Sequence, residues 1–357
     1  MKYFYFLFPL FFLSYININA QEDVITDLDR PIGLVFNGND LYFTEADIGK
    51  ISKIDITETT PTAIEVVSGL GTPYTLALNG NDLYIADYSA NKISKIDITE
   101  TTPTATDVVT GIQQPYGLAL NGGDLYISTL QQKIIKIDIT VTSPTATDFF
   151  ILTTDVYVTA LAFNGNDLYM GLSTGNGAGD FAGTVSKIDI TETTPTLTEV
   201  VTGLDAPNGL AFNGNDLYIA EYSANKISKI DITTGSTTST DVVTGLFGPE
   251  VLALNGNDLY IAEIPANKIS KIAVGATAGV DDQNQLVVSV YPNPTSDIVY
   301  IEGNYTQLKV VVYNILGKEV INKSIINSID ISHLENGVYL MKLSDGAKLT
   351  TQRIIKN

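Results

Sequence analysis

A six-residue motif that recurs along most of the chain constrains its fold more than any other feature. Asn-Gly-Asn-Asp-Leu-Tyr occurs five times, and Asn-Gly-Gly-Asp-Leu-Tyr at Asn121 is a sixth copy. The five full copies begin at Asn37, Asn79, Asn164, Asn213 and Asn255. Neighbouring copies lie 42 to 49 residues apart. Repeats of this length are typical of the four-stranded blades of β-propellers.

Each repeat contains four short β-rich runs separated by Gly, Pro, Asn or Thr. In the second repeat the predicted strands are Leu76 to Leu78, Leu83 to Ala86, Lys92 to Ile98 and Asp107 to Thr110. Apolar and polar residues do not alternate cleanly in these runs, which favours sheets that are covered on both faces. Residues 21–274 are therefore predicted to form a six-bladed β-propeller.

The two ends of the repeat region predict how the ring closes. Val24 to Leu28 resembles the fourth strand of other repeats, such as Val108 to Ile112, but no first three strands precede it. The last repeat ends at Val274 without a fourth strand. We expect the N-terminal strand to complete the last blade, because this pairing removes two exposed sheet edges.

The loops divide into two faces of the ring. On one face the turns are nearly identical in every repeat, and we expect the Asn-Gly pairs to form tight hairpins in which both residues have positive φ. On the other face the copies differ, and variation within one chain indicates individual roles. The candidate ligand-binding residues of this rim are Arg30, Tyr74, Tyr116, Tyr157, Asn208, Glu250 and Phe181. The second predicted strands end in acids at Glu45, Asp87, Glu221 and Glu263, with Ser128 and Gly171 at this place in blades three and four.

The composition excludes several classes of function. With 40 Asp and Glu against 20 Lys and Arg, the formal charge of -20 argues against nucleic acid as a partner. The chain has no Cys, so thiolate catalysis, disulfides and Cys-bound zinc are excluded. Its one histidine, His333, lies outside the repeats and excludes a Ser-His or His-metal mechanism inside the ring. The aromatic rim instead suits a glycan or peptide ligand.

Pro115 to Leu120 and Asp124 to Ile127 resemble six-bladed propellers of the NHL-repeat and gluconolactonase-like group. This resemblance implies a divalent cation, Ca²⁺ or another, held by a Glu, an Asn and an Asp. Asn208 matches the Asn of the family, and Glu250 stands at the position of its Asp. No acid stands near Tyr74, where the third ligand is expected. The resemblance makes a cation-dependent lactonase or related hydrolase the alternative function. General acid or base catalysis needs a carboxylate with a shifted pKa, and the candidates at the rim are Glu250, the candidate catalytic residue, Glu45 and Glu263.

Residues 1–20 have the pattern of a secretory signal peptide, with one positive charge, an apolar run and a small residue at Ala20. We expect cleavage after Ala20, export through the inner membrane and no transmembrane segment in the mature chain. Residues 275–285 are rich in small and polar residues and are predicted to be a linker.

Residues 286–357 are predicted to form a small β-sandwich, with strands in Leu286 to Val290, Ile298 to Glu302, Leu308 to Tyr313, Gly337 to Leu343 and Thr350 to Ile355. They resemble the C-terminal sorting domain of the Bacteroidota type IX secretion system. The residues that carry this resemblance include Tyr291, Pro292, Asn293, Pro294, Gly317, Gly337 and Tyr339. It implies recognition by an outer-membrane translocon and a sorting peptidase, followed by secretion or attachment to the cell surface. The two functions left open are a surface binding or scaffold module and the hydrolase.

Overall fold

A computed structural model of the chain describes residues 21–153, 155–174, 182–274, 288–291, 295, 297–303, 307–314, 318–345 and 349–357. The chain divides into two compact units, Met1–Gly275 and Ala276–Asn357.

The first unit is a ring of six four-stranded antiparallel sheets. Blade 1 contains β2 (Pro31–Asn37), β3 (Asp40–Glu45), β4 (Lys50–Asp55) and β5 (Ile64–Val67), with a short 3₁₀ helix, Ala46–Ile48, after β3. Blade 2 contains β6 (Pro73–Asn79), β7 (Asp82–Asp87), β8 (Lys92–Asp97) and β9 (Thr106–Thr110). Blade 3 contains β10 (Pro115–Asn121), β11 (Asp124–Thr129), β12 (Lys133–Asp138) and β13 (Thr147–Ile151).

Blade 4 contains β14 (Tyr157–Asn164), β15 (Asp167–Ser173), β16 (Ala182–Asp189) and β17 (Thr198–Asp205). Blade 5 contains β18 (Pro207–Asn213), β19 (Asp216–Glu221), β20 (Lys226–Asp231) and β21 (Thr240–Thr244). Blade 6 contains β22 (Pro249–Asn255), β23 (Asp258–Glu263) and β24 (Lys268–Ala273), and its fourth strand is β1 (Glu22–Ile25).

The N-terminal strand closes the ring, as the sequence predicts. β1 pairs antiparallel with β24, and Glu22 stands opposite Lys271. Leu28 follows β1 and is buried in an apolar cluster with Leu34 of blade 1 and Ile269 of blade 6. Five further clusters fill the other junctions between neighbouring blades. Every blade is therefore covered on both faces by its neighbours, which explains why the second strands are almost entirely buried.

The Asn-Gly turns between the first and second strands are two-residue hairpins, but the residues at their centre differ from the prediction. Asn37 pairs with Asp40, so the loop consists of Gly38 and Asn39. Only Gly38 has a positive φ, +60°, and a Cβ there would meet no atom within 4 Å. Glycine at the first central position is the pattern of a type II′ turn. The turn therefore selects glycine for its backbone conformation, and Asn37 is the last residue of its strand.

The second unit is a β-sandwich. One sheet has the order β25 (Val288–Tyr291), β26 (Ile298–Gly303), β29 (Ser328–Asp330). The other has the order β28 (Glu319–Ile325), β27 (Leu308–Asn314), β30 (Gly337–Ser344), β31 (Leu349–Lys356). Val299 and Ile301 of the first sheet share one core with Val310, Met341 and other residues of the second. β28 and β29 are not among the strands that the sequence predicts.

Candidate functional site

A β-bulge near the start of each first strand sets the geometry at the mouth of the central channel. In all six blades the register to the second strand shifts near the start of the first strand, after the second paired residue in blade 4 and after the first in the others, for example between Pro207 and Gly209. Bulges of this kind redirect a side chain and interrupt regular pairing. The residues at the bulge are Ile32, Tyr74, Tyr116, Thr159, Asn208 and Glu250, which we name the bulge ring. Four of the predicted rim residues are members of it.

Two positions further along the first strand, the repeats become uniform. All six blades carry a buried leucine there: Leu34, Leu76, Leu118, Leu161, Leu210 and Leu252. These leucines line a small cavity of about 100 Å³ on the channel axis. Below the varied bulge ring, the channel is therefore filled by one repeated apolar layer. Gly209 lies between Asn208 and Leu210 because the neighbouring first strand is close: a Cβ there would collide with the carbonyl oxygen of Glu250.

Glu250 lies at the centre of the bulge ring and is 3% exposed. Its Oε1 accepts a hydrogen bond of 2.8 Å from the hydroxyl of Tyr116, and its Oε2 accepts one of 2.8 Å from Nδ2 of Asn208. Tyr116 belongs to blade 3 and Glu250 to blade 6, so the first bond crosses the channel mouth. Burial raises the pKa of Glu250, although both hydrogen bonds and the charge of Arg30 act in the opposite direction. Burial and the nearby Glu250 carboxylate raise the pKa of Tyr116 well above its ordinary value.

Arg30, Tyr74 and Tyr116 form a stack beside Glu250. The Arg30 guanidinium lies 5.6 Å from the centroid of the Tyr74 ring, and its Nη2 donates a hydrogen bond of 3.0 Å to the Tyr74 hydroxyl. The ring centroids of Tyr74 and Tyr116 are 4.6 Å apart, and the Tyr88 ring packs on the other side of Tyr74 at 5.2 Å. The structure thus joins five predicted rim residues, Arg30, Tyr74, Tyr116, Asn208 and Glu250, into one connected cluster.

A cavity of about 330 Å³ opens beside this cluster, over blades 3 to 5. Of the predicted rim residues, Tyr116, Tyr157 and Asn208 line it. Tyr222 and Leu130 also line it and are not among the predicted rim residues. Tyr222 was missed because its loop, Tyr222-Ser-Ala-Asn-Lys, repeats that of Tyr88 in blade 2, and identical copies carry no sign of an individual role. Phe181 lies outside the described residues.

The acids at the ends of the second strands hold the blade junctions. Glu45, which was expected at the rim, is 4% exposed and accepts hydrogen bonds of 2.6 Å from Ser52 and 3.3 Å from the amide of Asp29. Burial alone would raise the pKa of Glu45, but the bonds from Lys50, Ser52 and Asp29 outweigh it and lower this pKa.

The same arrangement recurs in other blades. Glu263 is 1% exposed and accepts bonds of 2.6 Å from Ser270 and 2.7 Å from the amide of Phe247. The expectation that Glu45 and Glu263 are rim carboxylates is therefore wrong, since both side chains turn into the blade. The register also corrects the equivalent positions in blades 3 and 4. Thr129 is paired with Pro115 and Leu172 with Val158, so these residues, and not Ser128 and Gly171, replace the acid.

Asn208 and Glu250, the two residues that the resemblance implies as metal ligands, do lie together. However, Asn208 turns its Nδ2 toward the carboxylate, and both oxygens of Glu250 already accept hydrogen bonds. A hard cation such as Ca²⁺ takes six to eight oxygen ligands. The described part of the chain contains no group of three or more His, Asp or Glu side chains that could hold a metal ion. As arranged, these residues fit a hydrogen-bonded cluster and do not fit a cation site.

In the second unit, the described residues of the sorting motif occupy strands. Tyr291 ends β25, and its ring stacks on that of Tyr300 at 6.1 Å between centroids. Gly337 begins β30, and buried Tyr339 donates a hydrogen bond of 2.8 Å to the carbonyl of Glu335. Pro292, Asn293, Pro294 and Gly317 lie outside the described residues. His333 is exposed in the turn before β30.

Residues 289–357 match the family model of the secretion system C-terminal sorting domain. The second unit is thus a type IX sorting domain, and the protein is one that is secreted or displayed on the outer-membrane surface. None of the helices in the described residues is both long and apolar enough to cross a membrane. The predicted signal peptide, residues 1–20, lies outside the described residues.

The first unit resembles solved β-propellers in fold alone. A streptogramin B lyase is 18% identical, with a TM-score of 0.52 over 72% of this chain and 98% of the lyase. The aldose sugar dehydrogenase of Streptomyces coelicolor is 16% identical, with a TM-score of 0.54 over 71% and 98%. The Kuenenia stuttgartiensis hydrazine synthase is 16% identical, with a TM-score of 0.55 over 70% and 97%. No curated protein matches the chain significantly.

Proposed function

We propose that the chain is an exported binding module, in which the sorting domain directs the protein out of the cell and the channel-mouth face of the propeller binds a glycan or a peptide. The observation that carries this proposal is the bulge ring. Its six positions hold five different residue types, with tyrosine in both blades 2 and 3, whereas the leucines two positions away are the same in all six. A position that varies within an otherwise repeated strand, beside an open cavity, is where one blade can contribute differently from the next.

The translocon and a sorting peptidase are the partners that we propose for the tail. The sorting-domain match supports export, and the chain is then either released or attached to the outer-membrane surface. A signal peptide in residues 1–20 would supply the first step, passage through the inner membrane.

A cation-dependent lactonase or related hydrolase is the competing function. It would need Glu250 to be available as a ligand or a base, yet both of its oxygens are engaged by Tyr116 and Asn208. A second route to catalysis is also disfavoured. The Staphylococcus aureus virginiamycin B lyase is catalytically inactive when one histidine is replaced by alanine. This chain has a single histidine, His333, in the sorting domain. Binding is therefore the better supported function.

A screen of the full chain against glycan and peptide arrays tests the proposal. We expect a ligand whose binding is weakened by Tyr157→Ala on the mouth face and unchanged by Glu100→Ala, in a turn of the opposite face. Binding that is indifferent to Tyr157→Ala would place the ligand elsewhere and refute the proposed site. Lactone turnover that depends on added Ca²⁺ and is abolished by Glu250→Gln would establish the hydrolase instead.

A further inference from the structure

The cavity beside the bulge ring has a composition that restricts its ligand, and this restriction rests on the proposed function. Among the residues that the structure describes, no Asp, Glu, Lys or Arg side chain lines it. Its walls are the rings of Tyr116, Tyr157 and Tyr222 and the side chain of Leu130, and its polar groups are hydroxyls and the amide of Asn208. A charged ligand group would enter without a counter-ion, which is costly in a partly desolvated site.

The adjacent carboxylate of Glu250 does not change this. Its hydrogen bonds orient the two lining residues that it contacts. Because Nδ2 of Asn208 donates one of its two hydrogens to Glu250, the amide oxygen of Asn208 and its second N–H are left for a ligand. Because Tyr116 donates its hydroxyl proton to Glu250, its oxygen can only accept from a ligand. Glu250 is thus a positioning residue that fixes the orientation of two polar groups of the cavity lining.

The remaining polar groups can donate. The hydroxyls of Tyr157, Tyr222 and Ser223 make no hydrogen bond within the described part of the chain. The site therefore combines two fixed acceptors, rotatable hydroxyls and aromatic faces in about 330 Å³. This volume is near the lower end for small-molecule sites, so it suits one ring with its substituents better than an extended chain.

The charge of the whole chain agrees with this composition. The chain as a whole carries a charge of -20, which further disfavours anions.

We propose that this cavity binds a neutral pyranose unit, whose hydroxyls donate to Asn208 and Tyr116 and whose C–H face packs on a tyrosine ring. Pyranoses combine ring hydroxyls that both donate and accept with an apolar face, and the negative face of an aromatic ring favours such C–H contacts. Free sugar and the terminal residue of a glycan chain present the same chemistry, and the test separates them.

The test titrates the full chain by saturation-transfer NMR and calorimetry with methyl pyranosides, with neutral oligosaccharides that end in the same sugar, and with the matching uronic acids. We expect a neutral pyranoside to bind and its uronic acid to bind at least tenfold more weakly. An oligosaccharide that binds much more tightly than its methyl glycoside would identify a glycan end as the source. Equal affinities would identify the free sugar.

Tyr222→Ala and Tyr88→Ala form a matched pair of variants, because both tyrosines begin the same Tyr-Ser-Ala-Asn loop and only Tyr222 lines the cavity. We expect Tyr222→Ala to weaken pyranoside binding at least tenfold and Tyr88→Ala to change it less than twofold. Melting temperatures of both variants check that each is folded.

Equal losses in the two variants, or equal binding of a sugar and its uronic acid, would overturn the assignment. A panel in which no pyranoside binds would do the same. If a peptide then binds and Tyr157→Ala weakens it, the channel-mouth function stands and only the ligand class is wrong. If pyranosides bind and no mouth variant matters, the proposed function itself fails.

Discussion

Closure of the ring by β1 can be tested by linking β1 covalently to β24. Glu22 and Lys271 stand opposite each other, with side chains 70% and 28% exposed and a charge separation of 3.4 Å. The chain contains no cysteine, so Glu22→Cys with Lys271→Cys introduces the only two thiols. If β1 completes blade 6, oxidation should join them within one molecule.

The magnitude follows from the length of chain that the bond closes. A disulfide between these positions encloses about 250 residues, and the chain-entropy relation gives about 5.5 kcal/mol of stabilisation. Lys95→Cys with Thr106→Cys is the matched control, because Lys95 occupies the same strand position in blade 2 and pairs with Thr106 of the fourth strand. That bond encloses about 12 residues, for which the same relation gives about 3 kcal/mol.

The measurement compares unfolding of each pair in its oxidised and reduced forms. We expect the β1–β24 bond to add about 2.7 kcal/mol more than the control, or roughly 5–11 °C in melting temperature for a domain of this size. Thiols that stay reactive after oxidation, or that link two molecules, would show that β1 does not lie against β24. A gain no larger than that of the control would refute the closure argument.

Three further predictions concern single residues. Because the pKa of Glu250 is raised in the folded state, the unfolded chain loses this proton at a lower pH than the folded chain. The unfolding free energy of the wild type should therefore fall relative to that of Glu250→Gln as pH rises above about 4.3. Denaturant titrations at several pH values measure both free energies, and the same pH dependence in the two proteins would contradict this. Asp87→Ala leaves without an acceptor two backbone amides that now donate to the carboxylate at 2.9 Å, and it should lower the unfolding free energy by about 2–4 kcal/mol. Asp107→Ala removes an exposed ion pair and should lower the unfolding free energy by at most about 1 kcal/mol. Similar denaturation midpoints of the two variants would refute the structural role of Asp87. Gly209→Ala should lower the unfolding free energy by about 1–3 kcal/mol because the new Cβ meets a backbone oxygen. In Gly123→Ala the nearest neighbour of the new Cβ is a threonine side chain, so the melting temperature of this variant should be closer to that of the wild type.

The architecture of the propeller could be predicted because the same strand and turn pattern recurs in six repeats. One copy of the Asn-Gly-Asn-Asp-Leu-Tyr motif suggests a hairpin, but six copies at blade spacing leave little choice of fold. The missing strands at the two ends predicted the pairing of β1 with β24 for the same reason. In the sorting domain β28 was missed because only Ile321 and Ile325 of its seven residues are buried, so its apolar alternation is weak.

The candidate site was predicted in its membership but not in its contacts. Variation between copies identified Asn208 and Glu250, which differ from all their counterparts, and Tyr116, which shares its residue type only with Tyr74 of blade 2. The hydrogen bond from Tyr116 to Glu250 joins residues 134 positions apart on opposite blades, and only the closed ring brings them together. Variation also misassigned Glu45 and Glu263, because a carboxylate at a strand end has the same sequence pattern whether it faces solvent or a buried serine.

The bulge explains how one position can vary while its neighbours stay fixed. A residue in regular register must fit the side chains across the blade junction, so the leucine two positions further along cannot differ between copies without leaving a cavity. The bulged residue faces the channel and does not have to fit the side chains across the blade junction. Residues as different as Ile32, Thr159 and Glu250 therefore occupy the equivalent position in different blades. Tyr88 and Tyr222 show the complementary case, in which identical loops differ only through their surroundings: one packs on Tyr74, and the other borders a cavity. The asymmetry of the site therefore arises from the bulge ring and from blades 3 and 4, and substitutions that change ligand preference should concentrate there while the leucine layer keeps the ring intact.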